Sequence, residues 1–192
     1  MRKVIWILVI SFLFAASIQG IEAKAAVGKK SDPAFMLLAR AGYFMPTDAT
    51  FRDIYSGGPV FGLEARFGRK HFGIWLEGSY FAASGELSET AEPTDVKIMA
   101  VEGGALWKFE SGKMTPYIGA GIGHYQYKES NVLGEAKQGK IGFCGVAGAM
   151  LPLGKRLVLD CRLKYNSCSM QPADFKIKID GLTAGLGLGL RI

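Results

Sequence analysis

From residue 34 onward, short runs of alternating side-chain character are joined by connections that switch without exception between long and short. The runs cover 34–45, 60–68, 72–82, 96–109, 115–128, 140–151, 156–167 and 176–192, and are rich in Val, Ile, Phe, Tyr, Trp and Gly with period-two alternation. Long polar connections follow the first, third, fifth and seventh runs (46–59, 83–95, 129–139 and 168–175). Tight turns follow the second, fourth and sixth (68–71, 110–114 and 152–155). A soluble meander has no reason to keep this asymmetry, whereas a sheet crossing a bilayer has short turns on one side and long loops on the other. Most runs reach the ~9–11 residues that a tilted membrane strand needs. No stripe of helical period is evident after the first 25 residues. A sheet in hydrocarbon must close, because no water is present to satisfy an open edge. The reading is an all-β chain: an eight-stranded antiparallel up-and-down transmembrane barrel over residues 34–192.

Parity divides the strands into two chemically different faces. Phe35, Leu37, Ala39, Ala41 and Tyr43 oppose Met36, Leu38, Arg40, Gly42 and Phe44. Phe61, Leu63, Ala65 and Phe67 oppose Gly62, Glu64 and Arg66, while Phe72, Ile74, Leu76 and Tyr80 oppose Trp75, Glu77 and Ser79. Val101, Ala105, Trp107 and Phe109 oppose Glu102, Gly104 and Lys108. Leu157, Leu159, Cys161, Leu163 and Tyr165 oppose Val158, Asp160, Arg162, Lys164 and Asn166. In the last run leucines alternate with Gly185, Gly187, Gly189 and Arg191. An Arg or Lys facing lipid near the midplane costs roughly 2–4 kcal/mol. The charged face must therefore be the interior, with Arg40, Glu64, Arg66, Glu77, Glu102, Lys108, Asp160 and Arg162 as a structural charge network. An eight-stranded barrel is just wide enough for side chains to fill, so a plug is expected, not a pore.

Aromatic residues on the apolar face fall into two belts, as at membrane interfaces. Tyr43, Tyr80 and Tyr165 lie at the long-loop ends, and Phe35, Phe67, Phe72, Trp107 and Phe109 at the short-turn ends. In 115–128 two phases compete. One turns Tyr117, Tyr125 and Tyr127 outward together with three glycines; the other turns Ile118, Ala120 and Ile122 outward.

The first 25 residues read as a cleavable Sec signal. Arg2 and Lys3 precede an apolar segment from Val4 to Ile18, and Ala23-Lys24-Ala25 offers a cleavage site. Residues 26–33 would form a short periplasmic segment, with both chain termini periplasmic. Beyond the signal, 20 basic and 16 acidic residues remain, with no basic run longer than two. That is a poor nucleic-acid footprint, and no nucleic-acid partner is expected. Hydrophobic residues make up 49% of the chain and charged ones 21%, which excludes a disordered chain.

Few residues invite catalytic or metal chemistry. Cys144, Cys161 and Cys168 are an odd set. Cys161 and Cys168 lie too far apart along one extended segment to join, and Cys144 and Cys161 fall on opposite faces. No structural disulfide is expected. His71 sits in a tight turn beside Arg69 and Lys70 and should be solvated; His124 suits the upper lumen or a loop base. Two histidines without Cys/His spacing give no metal site, and no cofactor is implied. A His124, Glu129 and Ser130 grouping is the one local candidate for nucleophilic catalysis; as an enzyme site it would need His124 on the outer wall near a serine. Gly119-Ala120-Gly121-Ile122-Gly123 lacks the helix of a nucleotide-binding loop and reads as strand packing. Gly73-Ile74-Trp75 matches a lipocalin motif in the wrong strand. The second loop is acidic (Glu86, Glu89, Glu92, Asp95), and the third is mixed to basic (Lys128, Lys137, Lys140).

With eight strands, four long loops, the Pro116-to-Gly123 stretch PYIGAGIG and the alternating final strand, residues 34–192 resemble the small outer-membrane barrels of the OmpA-like, OmpX/Ail and opacity-protein type. The chain departs from them in ending on Ile192 where a terminal Phe is usual. The resemblance implies residence in the cell outer membrane, contact with its lipid and lipopolysaccharide, and handling by the barrel-assembly machinery during biogenesis. It also implies a non-enzymatic role in envelope integrity or adhesion through four extracellular loops. An OmpW-like conduit for small hydrophobic molecules is the alternative, and a lipid A-modifying enzyme a more distant one.

Overall fold

The computed structural model describes residues 34–86, 92–109, 111–132, 134–170 and 177–192. The signal peptide (1–25) and the 26–33 segment expected from the sequence lie outside the described residues.

Eight strands close a barrel in the order β1-β10-β7-β6-β5-β4-β3-β2. They are β1 (Ala34–Pro46), β2 (Gly58–Arg69), β3 (Phe72–Glu86), β4 (Pro93–Lys108), β5 (Thr115–Asn131), β6 (Gly134–Pro152), β7 (Leu157–Ser167) and β10 (Gly181–Arg191). Between β1 and β2 lies a helix, α1 (Ala49–Tyr55), and between β7 and β10 lie β8 (Ser169–Met170) and β9 (Ile177–Lys178), paired with each other. Every barrel neighbour is antiparallel. Closure comes from the first and last strands, which pair from Met36 with Arg191 to Pro46 with Gly181. That pairing leaves no open edge, the condition a sheet must meet in lipid.

The outward face is apolar for a simple reason: each strand alternates, and the charged parity has already been taken inside. Leu37, Leu63, Ile74, Leu76, Val101, Leu163, Leu186 and Leu188 are all exposed. A soluble protein does not show such a continuous apolar surface without a partner; hydrocarbon is the partner it fits. All eight residues assigned to the girdles are exposed on this wall, Phe35, Phe67, Phe72, Trp107 and Phe109 toward the turns, Tyr43, Tyr80 and Tyr165 toward the loops.

Three features differ from the sequence reading. β3 to β6 climb well past the expected strand ends, so the third long loop is mainly a tall β5–β6 hairpin with Asn131 opposite Gly134. The alternation there was masked by polar residues, which a strand outside lipid can carry on both faces. α1 was not expected: seven residues make two turns, too few for a helical period to register. Its boundaries are nonetheless marked. Asp48 caps it by accepting from the Phe51 N–H at 3.2 Å, and Ser56 and Gly57 end it at positive φ (54° and 86°). Finally, the last barrel strand begins at Gly181, since 177–178 belong to the small loop ladder.

Candidate functional site

The interior is the site, and it is built from the inward parity of every strand. Seven of the eight residues expected in the charge network meet there: Arg40, Glu64, Arg66, Glu77, Glu102, Asp160 and Arg162 are all buried. Glu64 is the hub. It accepts from Arg40 Nε at 2.7 Å, Arg66 Nε at 2.5 Å and Arg162 Nη1 at 2.6 Å. Arg40 Nη2 also reaches Asp160 at 2.5 Å, and Tyr117 donates to that same carboxylate at 2.8 Å. From the hub the chain of contacts runs from Arg162 to Glu77, then Lys164, then Glu102, where the Tyr125 hydroxyl donates at 2.6 Å. Four cations thus meet four carboxylates. Ions taken out of water are tolerated on that condition, that each is paired and hydrogen-bonded.

Glycine supplies the room. A Cβ on Gly187 would stand 3.1 Å from Arg40 Nη1, and one on Gly148 would come within 2.6 Å of the Tyr117 hydroxyl. β5, β6 and β10 contribute no charge to the layer, and Gly123, Gly148 and Gly187 on them leave space for the side chains of the layer. Among the described residues a gap of about 20 Å³ is bordered by Arg40, Gly62, Glu77, Arg162, Lys164 and Thr183. That is enough for roughly one water molecule and far short of an aqueous channel.

Lys108 is the correction to the network. It points inward but lies half-buried at the turn-end mouth, with no carboxylate among the described residues within ion-pair distance. Strand tilt and stagger carry it below the charged layer, which parity alone cannot reveal. Lys164, Tyr117 and Tyr125 are members that the expected network lacked. Lys164 was readable from parity. The tyrosines were not, because β5 takes the phase with Ile118 and Ile122 outward, and Tyr117, Tyr125 and Tyr127 buried.

Toward the turns the ionic layer rests on Met36, Leu38, Leu106, Val146, Met150 and Val158. Toward the loops it is covered by an aromatic cup. Phe44, Phe81, Ile98, Tyr125 and Tyr127 form its wall, and Phe51 and Tyr55 of α1 close it from above. Phe44 meets Phe51 and Phe81 edge-on, at centroid separations of 6.2 and 5.3 Å, an arrangement favoured by the ring quadrupoles. Tyr55 shares a hydrogen bond with Thr94 at 3.2 Å, and burial pushes its hydroxyl up to about 12. On the exposed hairpin, Lys128 at 2.8 Å holds the Glu135 carboxyl below its usual range.

His71 is exposed in its turn, with its ring stacked on Trp107 at 6.0 Å. His124 lies neither in the lumen nor at a loop base: it faces outward, between Val101 and Ile141 in the sheet register. Ser130 is six residues further along the same strand, roughly 20 Å away at about 3.3 Å per residue, so the grouping expected of a nucleophilic site is not assembled. The three cysteines are free, Cys144 and Cys168 buried and Cys161 exposed. No group of three metal-ligating side chains occurs among the described residues.

No protein-family model matches the chain, and no curated protein matches it by sequence. Solved structures do match. Outer membrane protein W of Escherichia coli has 16% identity and a TM-score of 0.57, over 85% of this chain and 100% of that one. The attachment invasion locus protein Ail of Yersinia pestis, solved with the heparin analogue sucrose octasulfate, has 17% identity and a TM-score of 0.55, over 85% and 100%. Neisserial surface protein A has 16% identity and a TM-score of 0.53, over 84% and 98%. The fold is that of the small eight-stranded outer-membrane barrels.

Proposed function

We propose that this chain is an outer-membrane barrel that works without catalysis, as a plugged structural element presenting its loops for contact at the cell surface. The observation that carries this reading is the balanced ion layer, which fills the barrel's waist behind an apolar outer wall. In this reading residues 1–25 direct export through the Sec pathway, the barrel-assembly machinery inserts the barrel, and the turns face the periplasm. Lipopolysaccharide surrounds the loop-end girdle.

The loops themselves bias the choice of surface partner. The segments 47–57, 82–97, 126–140 and 168–180 hold 7 basic and 10 acidic residues. A sulfated ligand of the kind bound to Ail would meet net repulsion there, so a neutral, cationic or cation-bridged partner fits better. The conduit reading draws on one feature, the apolar cup beneath α1. Its floor is ionic, however, so an apolar solute entering the cup meets a barrier of paired charge.

Planar-bilayer recording tests the plug: the reading expects no steady current, and sustained large conductance would overturn it. Mass spectrometry of lipid A from cells with and without the protein tests the absence of catalysis, and a mass change dependent on His124 would overturn that part.

A further inference from the structure

The charge of this molecule is sorted by height. The waist is neutral, four against four, and the loop segments are net acidic. The turn end is different. Each of the three turns brings two cations: Arg69 and Lys70, Lys108 and Lys113, Lys155 and Arg156. Arg191, at the end of β10, fills the remaining corner, where its N–H donates to the Arg156 carbonyl at 2.7 Å. All but Lys108 are exposed, and none makes an ion pair with a carboxylate among the described residues. Glu110 is the single acidic residue in the three turn sequences. Lys108 points into the mouth of the lumen; the other six, all exposed, ring the rim and repel one another, and folding alone gives no reason to gather them.

We propose that this rim is a binding collar for the phosphate headgroups of anionic glycerophospholipids in the leaflet next to the turns. What separates a lipid from a soluble polyanion is where the cations sit. Arg69, Phe72 and Trp107 stand side by side in one cross-strand row on the outer wall. His71 stacks on the same Trp107. Phe67, Phe109 and Leu157 are exposed at the same level. Cations interleaved with a girdle lie at headgroup depth, with apolar stems against the wall and charges turned toward phosphate. A soluble polyanion would reach the turn tips but would not need the aromatic row. The inference rests on the membrane reading above, since without a bilayer there is no leaflet to bind.

Trp107 makes the test direct, because Trp75 is buried in the lumen and Trp6 can be replaced. The full chain carrying Trp6→Phe is reconstituted in vesicles of phosphatidylcholine with phosphatidylglycerol. Quenching of Trp107 is then compared when one or the other lipid is brominated. The collar predicts that phosphatidylglycerol is enriched beside Trp107 by about fivefold for each cation engaged. The preference falls toward unity in high salt and in the Arg69→Gln, Lys70→Gln, Lys113→Gln variant, whose exposed positions leave folding intact. Equal quenching by both lipids overturns the proposal while leaving the membrane reading standing. Quenching by neither overturns the membrane reading itself. No lipid preference together with tight binding of inorganic polyphosphate by the detergent-solubilised protein overturns the lipid assignment in favour of a soluble polyanion.

Discussion

The waist and the cup of this barrel close the same lumen by opposite means. At the waist every contact is directional: Glu64 holds three arginines, and each of them bridges on to one further carboxylate, Arg40 and Arg66 to Asp160 and Arg162 to Glu77. In the cup, Phe44, Phe51, Phe81 and their neighbours exclude water by shape. A charge layer is intolerant of loss, because removing one partner strands the others in a medium that cannot solvate them. An apolar cluster loses contacts in proportion to what is removed and relaxes around the gap. The waist therefore sets the integrity of the barrel, while the cup sets the order of the loops.

That contrast can be broken most sharply at the hub. Glu64→Gln keeps the volume but leaves three buried guanidinium groups with one carboxylate partner each and the layer one negative charge short, and should cost about 3–5 kcal/mol of global stability. Urea unfolding of the reconstituted barrel, with heat-modifiable gel migration as a check on closure, reads the change. A loss under 1 kcal/mol would mean that the waist is solvated and the contrast is false. Phe51→Ala should cost about 3 kcal/mol by cavity formation, but locally. Hydrogen exchange over 49–55 should accelerate while the urea midpoint of the barrel stays near that of the parent. A global shift equal to that of Glu64→Gln would erase the distinction between the two regions.

Smaller effects sharpen the same picture. Asp48→Ala removes the cap of α1 and should loosen it by about 1 kcal/mol, again visible in exchange and not in global unfolding. The cup should also open at alkaline pH. Tyr55 ionises at about 12 when docked against an ordinary value of 10.0. Its contribution is therefore complete below pH 10 and is lost as the pH rises toward 12, when the undocked state gains the charged phenolate first. Ultraviolet difference titration of the parent against Tyr55→Phe should show a late-titrating tyrosine that vanishes in the variant. Titration near the ordinary value would mean that α1 does not close the cup.

How much was legible beforehand depended on whether the signal was local. Strand number, closure, both girdles and seven of the eight network charges followed from parity, since a strand's two faces are fixed by the backbone alone. Lys108 was misplaced because height within a tilted barrel depends on the stagger of all eight strands. The helix α1 escaped because its purpose, to lay Phe51 and Tyr55 over the cup, exists only once β1, β3, β4 and β5 surround that space. His124 gave no local clue to its face, because β5 offered two acceptable phases.

Outside β5, the amino-acid order determined which residues face carbon and which face the lumen, because an ion directed at acyl chains costs too much for any other assignment. What it left to the tertiary structure was which ion meets which, and the phase of β5. Tyr117 and Tyr125 turn inward because Gly148 and Gly142, on the neighbouring strand, leave the space their rings occupy, and Asp160 and Glu102 await their hydroxyls. Those partners are remote in the chain and become neighbours only when the barrel closes.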